Sequence, residues 1–134
     1  MLRFLSSLVL GLFFCEAASA QAYYTDKYVN DYYVSYTLAE AIQLKDRLQG
    51  ISLKEQRLPS LPPEIIELKN IAYIDLRGNK IEYVDPQIAQ LKKLRILNLR
   101  QNRLLFLPNE FFRLKRLGDL DLSENKLVRL DYDW

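Results

Sequence analysis

Histidine is absent from this 134-residue sequence, and cysteine occurs once, as Cys15. Without imidazole there is no base poised near neutral pH and the commonest zinc ligand is missing, and a lone thiol cannot form an internal disulfide. Stability must therefore come from apolar packing. Net charge is also small: 19 basic against 17 acidic side chains leave +2, too weak a field to argue for nucleic acid or an anionic membrane as the main partner. The amino-terminal apolar run, residues 4–15, stops at Glu16, short of the roughly 20 residues a spanning helix needs. At this length there is room for one domain, so a second, catalytic domain is not expected.

That amino terminus has the arrangement of an export signal. Arg3 precedes the apolar run, and Ala18-Ser19-Ala20 closes it in the A-x-A form cut by signal peptidase, so residues 1–20 are expected to be removed before Gln21. An uncleaved anchor is the rival reading. Lipid attachment at Cys15 is another, although bacterial lipoprotein signals place a small residue where bulky Phe14 stands. The processed chain would be secreted or periplasmic, would span no membrane, and would hold no cysteine. No catalytic residue, metal site or cofactor is expected in it.

What the sequence has in plenty is repetition. A 23-residue period runs through 48–70, 71–93, 94–116 and 117–134 without insertion. Leu48, Ile71, Leu94 and Leu117 share one column; Ile51, Ile74, Leu97 and Leu120 a second; Leu53, Leu76, Leu99 and Leu122 a third. The alternation at the start of each unit is that of a strand with one face buried, and the strands are expected to stack into a parallel sheet. Further along, Pro62, Pro86 and Pro108 precede Ile65, Ile88 and Phe111, which suits a helical turn or loose coil on the outer side. A polar column recurs as Gln56, Asn79, Asn102 and Asn125. Where the chain leaves the strand, backbone groups lose their ladder partners, and a side-chain amide can both donate to and accept from them.

IDLRGNKI, LNLRQNRL and LDLSENKL each carry the pattern L-x-x-L-x-L-x-x-N-x-L, and on these residues the chain resembles the leucine-rich-repeat family over 48–134, with 23-residue units of bacterial type. The resemblance implies an α/β fold: a leucine-rich-repeat solenoid forming a short right-handed arc, with a parallel β-sheet on its concave face and a helical cap at its N-terminal end. Gln56 in place of asparagine suggests an edge unit. Asp85, in place of the usual proline in the second unit, reads as neutral drift.

The cap is expected over residues 37–47. Thr37-Leu38-Ala39-Glu40 has the form of a capping box, Tyr36 can staple onto Ala41, and Gly50 offers a C-terminal stop. Residues 21–36 are tyrosine-rich: Tyr24, Tyr28, Tyr32 and Tyr36 would line one side of a helix, while YYVSY reads equally as a strand. The rings suit either packing or a contact surface. Trp134 falls in the column of Ile65, Ile88 and Phe111 and is read as a terminal plug. An uncovered last strand can recruit another chain, so a homodimer through residues 117–134 is one expectation.

Side chains between the leucines should point to the concave side, where the resemblance implies that another protein binds. The candidate contact residues are Lys54, Tyr73, Asp75, Arg77, Ile96, Asn98, Arg100, Asp119 and Asp121. Lys54, Arg77 and Arg100 would form a cationic column, and Tyr73 with Ile96 an apolar patch. The bland alternative is a solvated surface whose charges balance, as Asp75 and Arg77 can. A surface adhesin or structural spacer is a further reading. An acid hydrolase using Asp75, Asp119 and Asp121 is disfavoured, because a shallow sheet offers little burial to raise a carboxyl pKa.

Overall fold

The structure, a computed structural model, describes residues 32–128. The expected export signal, Tyr24 and Tyr28, and Trp134 lie outside the described residues.

Among the described residues, five short strands form one open parallel sheet in sequence order: β1 (Val34–Ser35), β2 (Gly50–Ser52), β3 (Tyr73–Asp75), β4 (Ile96–Asn98) and β5 (Asp119–Asp121). The repeat dictates the register. Gly50 pairs with Tyr73, Tyr73 with Ile96, and Ile96 with Asp119, a 23-residue step each time. Four strands were expected; the fifth comes from the tyrosine-rich segment, where Val34 and Ser35 pair with Gly50 and Ile51. YYVSY is therefore a strand at its centre.

The inward columns behave as the alternation requires. Ile51, Ile74, Leu53 and Leu76 are buried, as are Leu97 and Leu99. Opposite the sheet, each of the first three units closes with a 3-10 turn: Pro63–Glu67, Pro86–Gln90 and Asn109–Arg113. Ile65, Ile88 and Phe111 point inward from these turns, and the N–H groups of Leu68, Leu91 and Leu114 donate to their carbonyls. Asp85 is not neutral here. Its Oδ1 accepts the Gln87 N–H at 2.7 Å, capping a turn whose siblings have no side-chain cap.

The helix before the first unit, α1 (Leu38–Gln43), is shorter than the expected 37–47. Thr37 Oγ1 accepts the Glu40 N–H at 3.2 Å, one half of the capping box. The other half is rerouted: Glu40 Oε2 accepts from Ser35 Oγ at 2.7 Å, and Ser35 Oγ receives the Thr37 N–H. Gly50 does not stop this helix. It is a buried strand residue, and a Cβ there would stand 2.8 Å from Val34 Cγ2 and 3.0 Å from Tyr73 Cδ1. Close packing between β1, β2 and the Tyr73 ring requires glycine at that point.

The asparagine column does the work its spacing suggested. Asn79 Oδ1 accepts from the Gln56 and Leu58 N–H groups at 3.0 Å, and its Nδ2 donates to the carbonyls of Leu53 and Leu76 at 2.9 and 2.8 Å. Asn102 accepts from Ile81 and donates to Leu76 and Leu99, each at 3.0 Å; Asn125 repeats the arrangement with Leu104, Leu99 and Leu122. Each amide ties its own turn to the preceding unit. Gln56 is the exception. Its side chain is exposed and reaches back to the Tyr36 carbonyl at 3.4 Å, so the ladder begins at Asn79.

One position before the amide column the backbone is left-handed in every unit: Glu55 (φ 59°), Gly78 (φ 71°), Gln101 (φ 56°) and Glu124 (φ 57°). Only one of the four is glycine. A side chain costs about 1–2 kcal/mol in this conformation, while the extra chain freedom of glycine offsets about half of that. Glu55→Gly is therefore expected to raise the unfolding free energy by about 0.5–1 kcal/mol. A urea midpoint that falls instead would mean that the Glu55 side chain, not its backbone, matters at this turn.

Candidate functional site

The aligned register brings the nine candidate contact residues into three rows. Tyr73, Ile96 and Asp119 share one, and Asp75, Asn98 and Asp121 the next. Lys54, Arg77 and Arg100 occupy one position of successive units, two residues beyond the paired strand positions.

Exposure divides the face in two. Tyr73 and Asp75 are buried, at 2% and 0% exposure, so neither is the open contact residue it was expected to be. The Tyr32 ring stacks on Tyr73, with centroids 6.1 Å apart and planes within 13°. Asp75 Oδ2 stands 3.2 Å from Arg77 Nη2, and Tyr73 Oη lies 3.5 Å from it. The charge balance weighed for Asp75 and Arg77 is real, between neighbours two residues apart in one unit. Toward β5 the face opens: Ile96, Asn98 and Asp121 are half-buried, and Arg100, Asp119 and Ser123 are exposed.

Asp75, Asn98 and Asp121 have a structural task that the sequence reading missed. In each, Oδ1 accepts the N–H of the residue two places on, from Arg77 at 3.0 Å, Arg100 at 3.0 Å and Ser123 at 2.9 Å. These are Asx-type turns that close each strand. An Asx residue at the same offset in three successive units was the available signal.

The cationic column is likewise engaged. Besides the Arg77 pair, Arg100 Nε and Nη2 both donate to Glu124 Oε1, the former at 2.9 Å, and Gln101 Nε2 donates to Glu124 Oε2 at 2.7 Å. Glu124 was absent from the expected site although it stands one position past the 23-residue step from Arg100. These hydrogen bonds, from Gln101 first and then Arg100, hold its carboxyl below the ordinary carboxylate range.

Asp121 is held below its ordinary 3.8 chiefly by Ser123, whose hydroxyl donates to Oδ1 at 2.6 Å and whose N–H adds a second bond; Arg100 and Arg77 assist. A carboxyl depressed in the folded state stabilises it above the unfolded-state pKa, and that contribution fades as pH falls through the folded value. Ser123→Ala is expected to move the Asp121 titration up toward 3.8, read by carbon-detected NMR between pH 2 and 6. No movement would assign the shift to the residue-123 N–H and the arginines, which the substitution leaves in place.

Units of constant length, a parallel ladder and an amide column make one architecture, and the leucine rich repeat family model matches residues 46–104 and 92–134. The chain belongs to the leucine-rich-repeat family. Among solved structures, a leucine-rich-repeat protein of Leptospira interrogans is 26% identical, with a TM-score of 0.58 over 73% of this chain and 37% of that one. An internalin of Listeria monocytogenes shares the fold at 20% identity and a TM-score of 0.53, over 72% of this chain and 30% of that one. A TDR receptor does so at 22% and 0.54, over 68% and 17%. This leucine-rich-repeat chain thus spans well under half the length of each of these three. Among curated proteins, none matches it.

Leucine-rich-repeat domains generally serve as protein-interaction scaffolds. Among the described residues, no three His, Cys, Asp or Glu side chains converge as a metal site would require, and no helix is long and apolar enough to cross a membrane.

Proposed function

We propose that this leucine-rich-repeat chain is an exported module that binds another protein through the β4–β5 half of its concave sheet. The observation carrying this reading is the contrast in burial along one row: Tyr73 is closed off, while Ile96 and Asp119, aligned with it, are accessible. An apolar side chain flanked by Asn98, Arg100, Asp119 and Asp121 offers a small hydrophobic centre with a polar rim, the usual anatomy of a protein contact. Arg77 borders it, Lys54 stands one unit further off, and the buried Tyr73 and Asp75 adjoin it in the same rows without touching the partner.

The geometry lends the hydrolase alternative no support at two of its three carboxylates. Asp75 is buried against Arg77, and Asp121 is pushed in the direction opposite to that of a general acid. Export is supported by the arrangement of residues 1–20, and mass spectrometry of the mature product should find Gln21 at its amino terminus.

The binding reading is tested by capturing partners from the native host with the wild-type chain, then repeating with Ile96→Arg and with Asp119→Lys. Each is expected to weaken capture by about ten-fold or more, as central contact residues do. Glu110→Lys, on the opposite 3-10 turn, should leave it unchanged. Retention by both concave variants places the partner elsewhere.

A further inference from the structure

A second ordered face lies on the flank where each unit leaves its amide column. Immediately after Gln56, Asn79, Asn102 and Asn125 stand Arg57, Lys80, Arg103 and Lys126, one base per unit at the 23-residue step. All four are exposed. Backbone bonds stack these segments directly: the Lys80 N–H donates to Leu58, Arg103 to Ile81 and Lys126 to Leu104, at 2.9–3.0 Å. Ladder spacing of about 4.8 Å therefore sets the cations in a single row. Unlike Arg77 and Arg100, none of the four side chains makes an ion pair or hydrogen bond among the described residues.

Beside the row lies apolar surface. Tyr83 and Phe106 occupy one column and are 51% and 52% exposed. Leu105, 44% exposed, adjoins Phe106, and its carbonyl receives the Val128 N–H at 3.1 Å, so the patch crosses three units. Glu82 is the lone acid in segments 57–61, 80–84, 103–107 and 126–128.

Stacked like charges repel, and aromatic rings held in water forgo burial. One partner relieves both. We propose that this flank seats peripherally on an anionic lipid bilayer, with the cations meeting phosphate headgroups while Tyr83, Leu105 and Phe106 enter the interface. A soluble polyanion would engage the row and leave the apolar column idle. The proposal is independent of the concave-face reading.

The test uses the full chain, co-sedimented with vesicles of phosphatidylcholine alone or with one third phosphatidylglycerol. The amino-terminal apolar run is common to every form, so the decisive comparison is between variants. Lys80→Glu with Arg103→Glu should lower binding to anionic vesicles on the order of ten-fold or more. Tyr83→Ser with Phe106→Ser should also weaken it, with the circular dichroism of both unchanged because all four side chains are exposed. Binding that survives either pair, or that ignores phosphatidylglycerol, overturns the proposal. So does equally tight binding of dextran sulfate that is indifferent to the ring pair, which would assign the row to a soluble polyanion. A lipid-free dimer abolished by the ring pair would overturn it in favour of a second copy.

Discussion

Asn102→Leu is expected to lower the unfolding free energy by about 4 kcal/mol, because three buried backbone groups lose their partner at about 1–3 kcal/mol each while the added apolar area returns part of the loss. The groups are the Ile81 N–H and the carbonyls of Leu76 and Leu99, all within 3.0 Å of the Asn102 amide. Leucine keeps the branched outline and heavy-atom count of asparagine but is bulkier, so the lost hydrogen bonds dominate and crowding adds to the cost. Asn125→Leu should cost visibly less, since Asn125 is only half-buried and water can reach the groups it would abandon. Urea unfolding of both variants checks the order. Equal costs, or an Asn102 cost below about 1 kcal/mol, would show that the ladder is ornamental and that leucine packing alone closes the turns.

Leu97→Ala is the second large effect, expected at about 3 kcal/mol from lost transfer energy and the cavity left behind. Leu97 is 1% exposed and sits between Ile74 and Leu120 in the sheet ladder. Leu120 occupies the same position one unit later but is 38% exposed, so Leu120→Ala should cost only about 1 kcal/mol. The pair forms an internal control: same residue type, same place in the repeat, different neighbours. Should the two substitutions prove equally damaging, the β5 edge is covered in solution, and the homodimer expected through residues 117–134 becomes the first explanation to pursue by sedimentation.

The inner columns were legible because burial at a fixed step leaves no chemical alternative: only branched apolar side chains fill the space at Ile51, Ile74 and Leu97. The amide ladder was legible for a related reason, since few side chains both donate and accept at such short range. The concave face was harder. Asp75, Asn98 and Asp121 look like ligand contacts in a sequence, because a carboxylate or amide that bonds its own chain two residues on is written with the same letters as one that waits for a partner. Their recurrence in three units was visible and favoured the structural role.

The left-handed column was hidden by its occupants. Glycine marks it once, at Gly78, whereas Glu55, Gln101 and Glu124 accept the strain without a compositional sign. β1 was hidden by brevity, because two residues of pairing at Val34 and Ser35 give alternation no room to show. The basic row at Arg57, Lys80, Arg103 and Lys126 was in plain view but masked by a net charge of +2, an average over surfaces that never meet.

The sheet has consequences for how the molecule comes apart. Every unit leans on its neighbour and none on a shared centre, so opening can proceed one unit at a time. In the last described unit, Leu117, Leu120, Leu122 and Leu127 are all incompletely buried, whereas their counterparts from Leu94 back to Leu48 are almost wholly enclosed, apart from Leu58. Breathing should start at β5 and travel inward, with backbone amides trading deuterium in the reverse of their order along the chain until β3 is reached.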